Sequence, residues 1–574
     1  MGAKECLDKV DNLERIGVVG SPSSNSNITV DILESACKKS LVGGFTIFKF
    51  NQDSQINCAL GQITEINLRN IWTEDPTMKG LIRRKGEVNP VTGRQDTHVA
   101  EMLMSSVFKQ IDNAFEPSAL GTVPETGTAI KLVTDEILDC LLEDYKEELF
   151  YLGNIYGSEP KLPMWFKHFD KGNGGLGEAY HIGIFGKTGS GKSFLAKMMT
   201  SAYAKHKNMS IFIIDPQGEF TKDCKKDSIL YKIFVEKLGR TIKLYNLHNL
   251  VLSGETVIQK ILCDSGFFEE LLIKHPDNRA NAASSIVKFM KKENITPWKY
   301  KDRESFNKMW DFLCKDEFLK ATYSGKDGQA RVKSAVESLD NEIMFNKWEK
   351  ISNLFAYKGT NEDNIVIKDL VDKSFQEGEK DIVVVDLSNS NIPENLMWTD
   401  EIRYIVINEL LERLVSKSEE VYKEDKYLNS LVILDEAHKF APRENSEESE
   451  NLNKIKSTLV NAVRTTRKCG LGWMFISQTL ASLDKEIINQ VRVFAFGFGL
   501  CWGSELESLK QIIGGNRQAI NLYQSFKDPQ SGFKKKEYPF MMLGPISPLS
   551  FTSTPMFLTA LNFHKEFLEI NRLK

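Results

Sequence analysis

Continuous apolar runs alternate with helical stretches through the second half of the chain. These runs predict strands at residues 181–185, 210–214, 242–247, 382–387, 430–434, 472–476 and 491–498. Helical patterns, such as the one over 194–204, separate most of them. Strands that are apolar on both faces and alternate with helices are typical of a parallel sheet covered by helices. The pattern therefore predicts an α/β core.

The N-terminal part follows a different pattern. Residues 44–50 alternate between apolar and polar positions, and residues 58–66 form a second strand-like run after a turn. A helix is expected over 135–147. The polar stretch 74–97, which contains two prolines and three glycines, is expected to be a loop. This strand-rich pattern predicts a small β-barrel or sandwich within 1–165.

Residues 255–350 show only helical periodicity. Apolar positions such as Phe306, Met309 and Leu313 are spaced by three and four residues, which places them on one face of a helix. Because this stretch interrupts the series of predicted strands, we expect it to be a helical insertion in the α/β core.

Composition and charge narrow the class of protein. Of the 574 residues, 41% are hydrophobic and 26% are charged, which argues against extended disorder. The longest uncharged apolar run, 493–502, is too short to cross a bilayer, so an integral membrane protein is not expected. The nine cysteines form no C-x-x-C pair and are expected to be reduced in a cytoplasm.

The net charge of −4 gives no general attraction to nucleic acid, so any contact with DNA must come from a local basic patch. The candidates are Arg83, Arg84 and Lys85 with Arg94, and Lys534, Lys535 and Lys536. Each group is equally well explained as a solvated turn.

The strongest chemical signal follows the strand at 181–185. The next eight residues match the pattern G-x-x-x-x-G-K-[S/T] of a phosphate-binding loop (P-loop), and a helical stretch comes directly after them. In such a loop, backbone N–H groups surround the β-phosphate, the lysine reaches the β- and γ-phosphates, and the hydroxyl binds Mg²⁺. Binding of ATP and Mg²⁺ is therefore predicted for Gly186, Lys187, Thr188, Gly189, Ser190, Gly191, Lys192 and Ser193.

Two acidic residues end the strand at 430–434. Asp435 and Glu436 are predicted to lie at the carboxyl edge of the sheet, where ligands bind in open α/β folds. Acids are common at strand ends, but the accompanying P-loop favours a functional interpretation. Asp435 is predicted to hold Mg²⁺, directly or through water, and Glu436 to polarise the attacking water.

Three further side chains have two interpretations each. Arg464 and Arg467 share one side of a helix end, and residues 458–471 contain no carboxylate to neutralise them. They either reach a γ-phosphate on a neighbouring subunit or complement the helix dipole. Gln478 either senses the γ-phosphate and positions water or is an ordinary polar strand end.

These motifs together resemble those of HerA-type ATPases in the HerA/FtsK superfamily. Besides the P-loop, the resemblance is carried by the segments 61–66 (GQITEI), 215–220 (DPQGEF), 435–440 (DEAHKF), 464–470 (RTTRKCG), 476–478 (ISQ) and 543–555 (LGPISPLSFTSTP). Asp215 and Glu219 match this pattern and are placed near the phosphates, although a simple turn also explains them. The pair Thr465-Thr466 departs from the small or acidic residues usual there, which leaves open which arginine acts.

The resemblance implies a fold of the α/β class, with a P-loop RecA-like parallel sheet core, an N-terminal β-barrel and a helical insertion. The implied domains are a barrel at 1–165, an ATPase core at 166–254 and 351–545, the insertion at 255–350 and a C-terminal strap at 546–574.

The resemblance also implies a function. It indicates a cytoplasmic homo-hexamer that hydrolyses ATP to translocate on or unwind DNA, with Arg464 and Arg467 acting between subunits. A partner effector, either a nuclease or a sirtuin-like NAD hydrolase, is implied as well, and bacterial anti-phage defence is favoured over archaeal repair. The alternative is an ATP-dependent scaffold that assembles an effector without moving DNA. A secretion or conjugation pump of the same superfamily is disfavoured because no membrane anchor is predicted.

Overall fold

The N-terminal sheet closes on itself. The computed structural model describes residues 2–86, 95–172, 174–356, 364–376, 378–532, 536–550 and 554–573. The sheet contains β1 (Arg15–Val19), β2 (Asn27–Ile32), β3 (Phe45–Gln52), β4 (Gln55–Arg69), β5 (Thr97–Ile111), β6 (Ala114–Ser118) and β7 (Ala129–Leu132). The strand order is β2-β1-β7-β3-β4-β5-β6, and β2 also pairs with β5, which closes a barrel and leaves β6 outside the ring. Alternate side chains such as Ile28, Val30 and Phe48 fill its interior.

Helix α1 (Ala3–Asn12) packs beside the barrel, and helices α2 (Ile71–Glu74) and α3 (Pro76–Lys85) follow β4. The expectation of a loop over 74–97 is therefore wrong for α3. The carboxylate of Asp75 accepts hydrogen bonds from the N–H groups of Thr77 and Met78, and Gly86 ends the helix at φ 68°. These capping signals outweigh the polar composition of the segment. Arg94 lies outside the described residues.

The second sheet carries the candidate site. Its strands are β8 (Leu149–Ile155), β9 (Lys161–Trp165), β10 (Ile182–Phe185), β11 (Ser210–Asp215), β12 (Ile242–Tyr245), β15 (Ile382–Asp386), β16 (Ser430–Leu434), β17 (Leu471–Ser477), β18 (Val493–Gly497), β19 (Pro539–Leu543) and β20 (Met556–Ala560); β13 (Leu250–Val251) and β14 (Ile365–Val366) pair separately. The order is β12-β15-β11-β16-β17-β10-β18-β19-β20-β8-β9. Neighbours from β12 to β18 are parallel, and those from β18 to β9 are antiparallel. The predicted α/β fold with a parallel core and an N-terminal barrel is confirmed.

Strands β8 and β9 extend this second sheet, although they fall within the range 1–165 predicted for the barrel. Ile155 in β8 lies opposite Leu558 in β20, so the end of the chain pairs with residues about 400 positions earlier. Such a distant pairing leaves no local pattern in the sequence, which explains why the predicted boundary at 165 does not coincide with the boundary between the sheets.

Helices cover the second sheet and extend its hydrophobic core. The remaining helices are α4 (Asp135–Leu141), α5 (Lys192–Ala204), α6 (Glu219–Cys224), α7 (Ile229–Tyr231), α8 (Glu255–Asp264), α9 (Phe267–Glu270), α10 (Pro276–Lys292), α11 (Arg303–Leu313), α12 (Asp316–Thr322), α13 (Lys326–Ser338), α14 (Asn341–Ser352), α15 (Ile367–Ser374), α16 (Asp400–Lys423), α17 (Glu450–Thr465), α18 (Lys485–Gln490), α19 (Gly503–Ile512), α20 (Arg517–Gln524) and α21 (Glu566–Ile570). Helices α8 to α14 lie in the stretch predicted as an insertion and pack around the buried Trp348, whose indole N–H donates to the carbonyl of Tyr300. Across the part of the chain that the structure describes, no helix is both long and apolar enough to cross a membrane.

A buried histidine joins three of the elements that support the P-loop. His181 immediately precedes β10 and is 1% exposed. Its Nε2 lies 2.8 Å from the carbonyl oxygen of Val463 in α17, and its Nδ1 accepts from the N–H of Trp473 in β17 at 3.2 Å. This pairing fixes a neutral ring with the proton on Nε2. Burial lowers the pKa of His181 to about 4.

We predict that this histidine makes stability depend on pH. Because its pKa is lower in the folded protein than in the unfolded chain, its contribution is present above about pH 6.5 and is lost as the pH falls towards 4; the full loss is about 3 kcal/mol. His181→Gln should lower the melting temperature at pH 7.5 and flatten the decline between pH 6.5 and 4. The exposed His275 provides the matched control, His275→Gln. If the melting temperatures of His181→Gln and the wild type fell in parallel between pH 6.5 and 4, the assignment would be contradicted.

Candidate active site

Most of the predicted site residues directly follow central strands of the second sheet. The P-loop follows β10, which lies between β17 and β18. Asp435 directly follows β16, and Gln478 directly follows β17. Because these strands are parallel, their carboxyl ends meet at one edge of the sheet. The fold therefore brings the P-loop, Asp435, Glu436 and Gln478 to the same edge.

Glycines permit the tight course of the P-loop. Gly189 and Gly191 have φ values of 82° and 89°, in the left-handed region that disfavours a side chain. At Gly186 a Cβ atom would lie 2.7 Å from Ser190 Oγ. That hydroxyl is buried and has no hydrogen-bond partner among the described residues. Helix α5 begins at Lys192, so its free N–H groups face the loop.

Lys192 is buried inside the loop. Its ammonium group donates to the carbonyl oxygen of Lys187 at 3.1 Å. Burial lowers the pKa of Lys192, while the nearby carboxylates of Glu436, Asp435 and Glu219 act in the opposite direction. A positive charge held in a largely buried loop is suited to an anion, since few water molecules compete for it.

Asp435 and Glu436 occupy different environments. Asp435 is 5% exposed, and its Oδ1 accepts from the N–H of Glu436 at 2.9 Å. Burial raises the pKa of Asp435 to about 7, and the neighbouring charges of Glu436, Glu219 and Asp215 add to the rise. Glu436 has a positive φ of 53°, which is unusual for a residue with a long side chain.

Gln478 connects the acidic pair to the P-loop. Its amide nitrogen donates to Glu436 Oε1 at 2.6 Å, and its amide oxygen accepts from the Thr188 hydroxyl at 3.0 Å. The other oxygen of Glu436 lies 3.4 Å from Nδ1 of His438, a residue that the sequence analysis did not single out. Burial lowers the pKa of His438. Gln478 thus holds the Glu436 carboxylate in one position beside the loop.

Asp215 at the end of β11 is occupied by its own turn. Oδ1 accepts from the N–H of Gly218 at 2.8 Å, and Oδ2 accepts from the N–H and the hydroxyl of Thr221, each at 2.8 Å. Asp386 ends the neighbouring strand β15 directly opposite Asp215 and was missed by the sequence analysis. Glu219, by contrast, is exposed, and its charge reaches both Lys192 and Asp435. The hydrogen bonds of Asp215 are those of a residue that shapes the loop.

The arginines are paired with carboxylates from distant parts of the chain. Arg464 Nη2 lies 2.5 Å from Glu486, and Arg467 Nε lies 3.5 Å from Glu178. Residues 458–471 contain no carboxylate, as the sequence shows, and both partners come from outside this range. Both arginine side chains are about half exposed. Ion pairs this exposed contribute little stability and exchange partners readily.

Both arginines lie at the edge of the sheet opposite the P-loop. Arg467 precedes β17, and its carbonyl oxygen accepts from the N–H of Ala179, just before β10. The strands between these residues and the P-loop rise about 3.3 Å per residue, which places the two edges on the order of 20 Å apart. The helix that carries Arg464 therefore runs from the phosphate edge to the opposite edge of the sheet. Neither arginine reaches the P-loop of its own chain.

A third arginine joins this group. Arg492 precedes β18 and lies 2.8 Å from Glu178, so one carboxylate is shared by Arg467 and Arg492. The Arg492 guanidinium also lies over the ring of Tyr180, 4.6 Å from its centroid. Neither Arg492 nor Glu178 was predicted from the sequence, because only the parallel strands bring these distant residues together. In this group, three guanidinium groups share two carboxylates, those of Glu178 and Glu486.

The carboxylates at the P-loop edge suit a divalent cation. Within the described ranges, no group of three or more His, Cys, Asp or Glu side chains is arranged to hold a metal. Mg²⁺ requires less, because it is commonly bound by one or two carboxylates together with the substrate's phosphates. Asp435, buried beside other negative charges, and the Ser193 hydroxyl at the start of α5 have the required chemistry.

The comparison with protein families identifies this part of the chain. Residues 179–414 match the family described as "Helicase HerA, central domain". This segment resembles the central domain of HerA-type ATPases. The matched HerA segment includes the P-loop, Asp215 and Glu219, and it ends before Asp435. The predicted resemblance is thereby confirmed. A search of curated proteins found no match.

Several solved structures are similar to this chain at low sequence identity. VirB4 of Thermoanaerobacter pseudethanolicus is 16% identical, with 72% of this chain and 96% of that chain covered and a TM-score of 0.38. The genome packaging NTPase B204 from Sulfolobus turreted icosahedral virus 2, in complex with ATP-gammaS, is 11% identical, with 67% and 98% covered and a TM-score of 0.29. The bacterial conjugative coupling protein TrwB is 13% identical, with 63% and 75% covered and a TM-score of 0.35. Likeness at this level does not extend to function.

We predict that Gln478→Ala slows ATP hydrolysis at least about tenfold while the affinity for ATP changes little. The substitution removes the donor to Glu436 and the acceptor from Thr188 but leaves the phosphate-binding N–H groups intact. Steady-state hydrolysis and equilibrium ATP binding measure the two effects separately. Gln511→Ala, which alters an exposed glutamine on α19, is the control. Unchanged turnover in Gln478→Ala would show that the bridge has no part in hydrolysis.

Proposed function

We propose that this chain is the subunit of a hexameric ring that hydrolyses ATP and uses the energy to translocate on DNA. The observation that supports the proposal is the separation of the P-loop edge from the arginine edge. A chain with phosphate-binding groups at one end of its sheet and exposed arginines at the other can complete its sites by head-to-tail contact. Such contacts form a closed ring when the rotation between subunits closes.

Each side chain has a role in this proposal. The P-loop glycines and Lys192 bind the phosphates, Glu436 accepts the proton of the attacking water, and Gln478 holds Glu436 in place. Asp435 and Ser193 would hold Mg²⁺, which would supply positive charge to the bound phosphates. Arg464 or Arg467 of the adjacent subunit leaves its carboxylate partner and pairs with the γ-phosphate, because a multiply charged phosphate attracts a guanidinium more strongly than one exposed carboxylate does.

The contact with DNA is assigned to a local basic surface. Lys79, Arg83 and Arg84 are exposed on α3, and Lys79 and Arg83 lie four residues apart on the same side of the helix. Lys534 and Lys535, which were also candidates, lie outside the described residues. The proposed complex acts inside the cell and includes a separate effector with nuclease or NAD-hydrolase activity. Its proposed role is anti-phage defence.

We predict that DNA stimulates ATP hydrolysis. A motor couples turnover to its track, so the rate should rise severalfold on addition of DNA and fall back as salt screens the phosphate contacts. Lys192→Ala should abolish hydrolysis with and without DNA. The double variant Arg83→Glu/Arg84→Glu should retain the basal rate and lose the stimulation. Assembly that depends on ATP while hydrolysis ignores DNA would instead support the scaffold alternative.

We predict that the arginines act between subunits. Arg464→Ala/Arg467→Ala and Lys192→Ala chains should each be inactive alone, since a finger arginine contributes about 10³-fold or more to turnover. After mixing, interfaces that pair an intact P-loop with intact arginines should regain activity; in a random equimolar ring these are about a quarter of the total. A double variant of the exposed salt-bridge residues Lys308→Ala/Glu304→Ala serves as the mixing control. Mixtures that recover no activity would rule out action between subunits.

A further inference from the structure

A cavity of about 460 Å³ opens beside the P-loop, on the side away from Asp435. Gly191 and Phe194 line it from the start of α5, and Tyr538, Phe563 and His564 line it from the C-terminal segment. Strand directions explain this convergence. Strand β19 runs antiparallel to β18, and β20 antiparallel to β19, so the segments before β19 and after β20 both lie at the P-loop edge.

One wall of the cavity is aromatic. Phe194 follows the P-loop residue Ser193 directly, and its side chain is 37% exposed. Its ring centroid lies 6.1 Å from that of Tyr538, 6.3 Å from that of Phe563 and 6.1 Å from that of His564. Phe563 is buried at 4% exposure and forms the floor, whereas His564 is exposed at the rim. An exposed phenylalanine in the first turn of this helix has an open apolar face and space in front of it.

Tyr538 lies so close to the P-loop that position 191 can hold only glycine. A Cβ atom at Gly191 would lie 2.7 Å from the Tyr538 ring, and Gly191 also has a φ of 89°. The aromatic wall and the phosphate-binding loop are thus in direct contact. The exposed Lys536 and Glu537 add polar groups at the rim. About half of the lining residues are polar, among them Asn562 and Glu566. The volume falls within the range of small-molecule pockets.

The direction of a bound nucleotide follows from the strand order. The groups predicted to act on the γ-phosphate, Asp435 and Gln478, follow β16 and β17 on one side of β10. The aromatic cavity adjoins β19 and β20 on the other side. A triphosphate lying along the P-loop with its γ-phosphate towards Gln478 therefore directs its nucleoside towards the cavity.

We infer that this cavity holds the base of the nucleoside triphosphate whose phosphates bind the P-loop, with the base stacked on Phe194. The inference rests on the proposed nucleotide site and adds a base subsite to it. Aromatic rings stack on the flat faces of nucleobases, and the larger purines gain more contact than pyrimidines. The pocket is thus expected to favour ATP and GTP over CTP.

The test compares ATP with inorganic tripolyphosphate, which has no base, by calorimetric binding to the full chain in the presence of Mg²⁺. Phe194→Ala should weaken ATP binding about tenfold and leave tripolyphosphate binding unchanged. Phe194→Tyr should restore ATP binding, and His564→Ala should give a smaller loss of the same kind. Tyr422→Ala, which removes an aromatic ring of similar exposure at the end of α16, is the control and should change neither affinity.

The outcomes separate the two proposals. Equal weakening of ATP and tripolyphosphate in Phe194→Ala would show that the residue supports the P-loop rather than the base, and would overturn the inference. Unchanged ATP binding in both Phe194→Ala and His564→Ala would overturn it as well. A wild-type chain that binds neither ATP nor tripolyphosphate would instead remove the proposed function itself.

Discussion

The parallel alignment of β16, β17, β10 and β18 is the constraint on which the candidate site depends. Parallel strands gather all their carboxyl ends at one edge and all their amino ends at the other. Hydrogen bonds across these strands place Phe185 beside Ser477 and Phe496, so the segments that follow them start at the same level. A shift of one strand by a single residue would turn every side chain to the opposite face. The positions of the P-loop and Gln478 are therefore consequences of pairing deep in the sheet.

Burial at the phosphate edge concentrates charges that are unfavourable without a ligand. The pKa of Asp435 is raised to about 7, and the pKa of Lys192 is lowered. Both shifts arise because the ionised form of each side chain is costly in a poorly hydrated site. A bound cation and a bound phosphate would each satisfy one of these groups. The arginine edge differs, since its ion pairs with Glu178 and Glu486 are half exposed and readily exchanged. The P-loop edge is thus suited to retain a nucleotide. The arginines of the opposite edge are suited to leave their carboxylates for the phosphates of one.

Local patterns in the sequence predicted much of this arrangement. The buried strands were predictable because they are continuous apolar runs, and the P-loop because its glycines and lysine have fixed spacing. What sequence could not supply was non-local. The pairing of β2 with β5 that closes the barrel, the pairing of β8 with β20, and the sharing of Glu178 between Arg467 and Arg492 all join residues far apart in the chain. Helix α3 was missed for a different reason, since its capping signals were overlooked within a polar segment.

The central claim is that arginines of one subunit complete the nucleotide site of the next. A cryo-electron microscopy structure of the assembly with Mg²⁺ and a non-hydrolysable ATP analogue tests it most directly. The account predicts a ring in which the guanidinium of Arg464 or Arg467 lies within hydrogen-bonding distance of the γ-phosphate bound to the adjacent P-loop. In that ring, at least one of the ion pairs with Glu486 and Glu178 should be broken. A nucleotide-bound assembly with both ion pairs intact, and with no arginine from a neighbour at the phosphates, would contradict it.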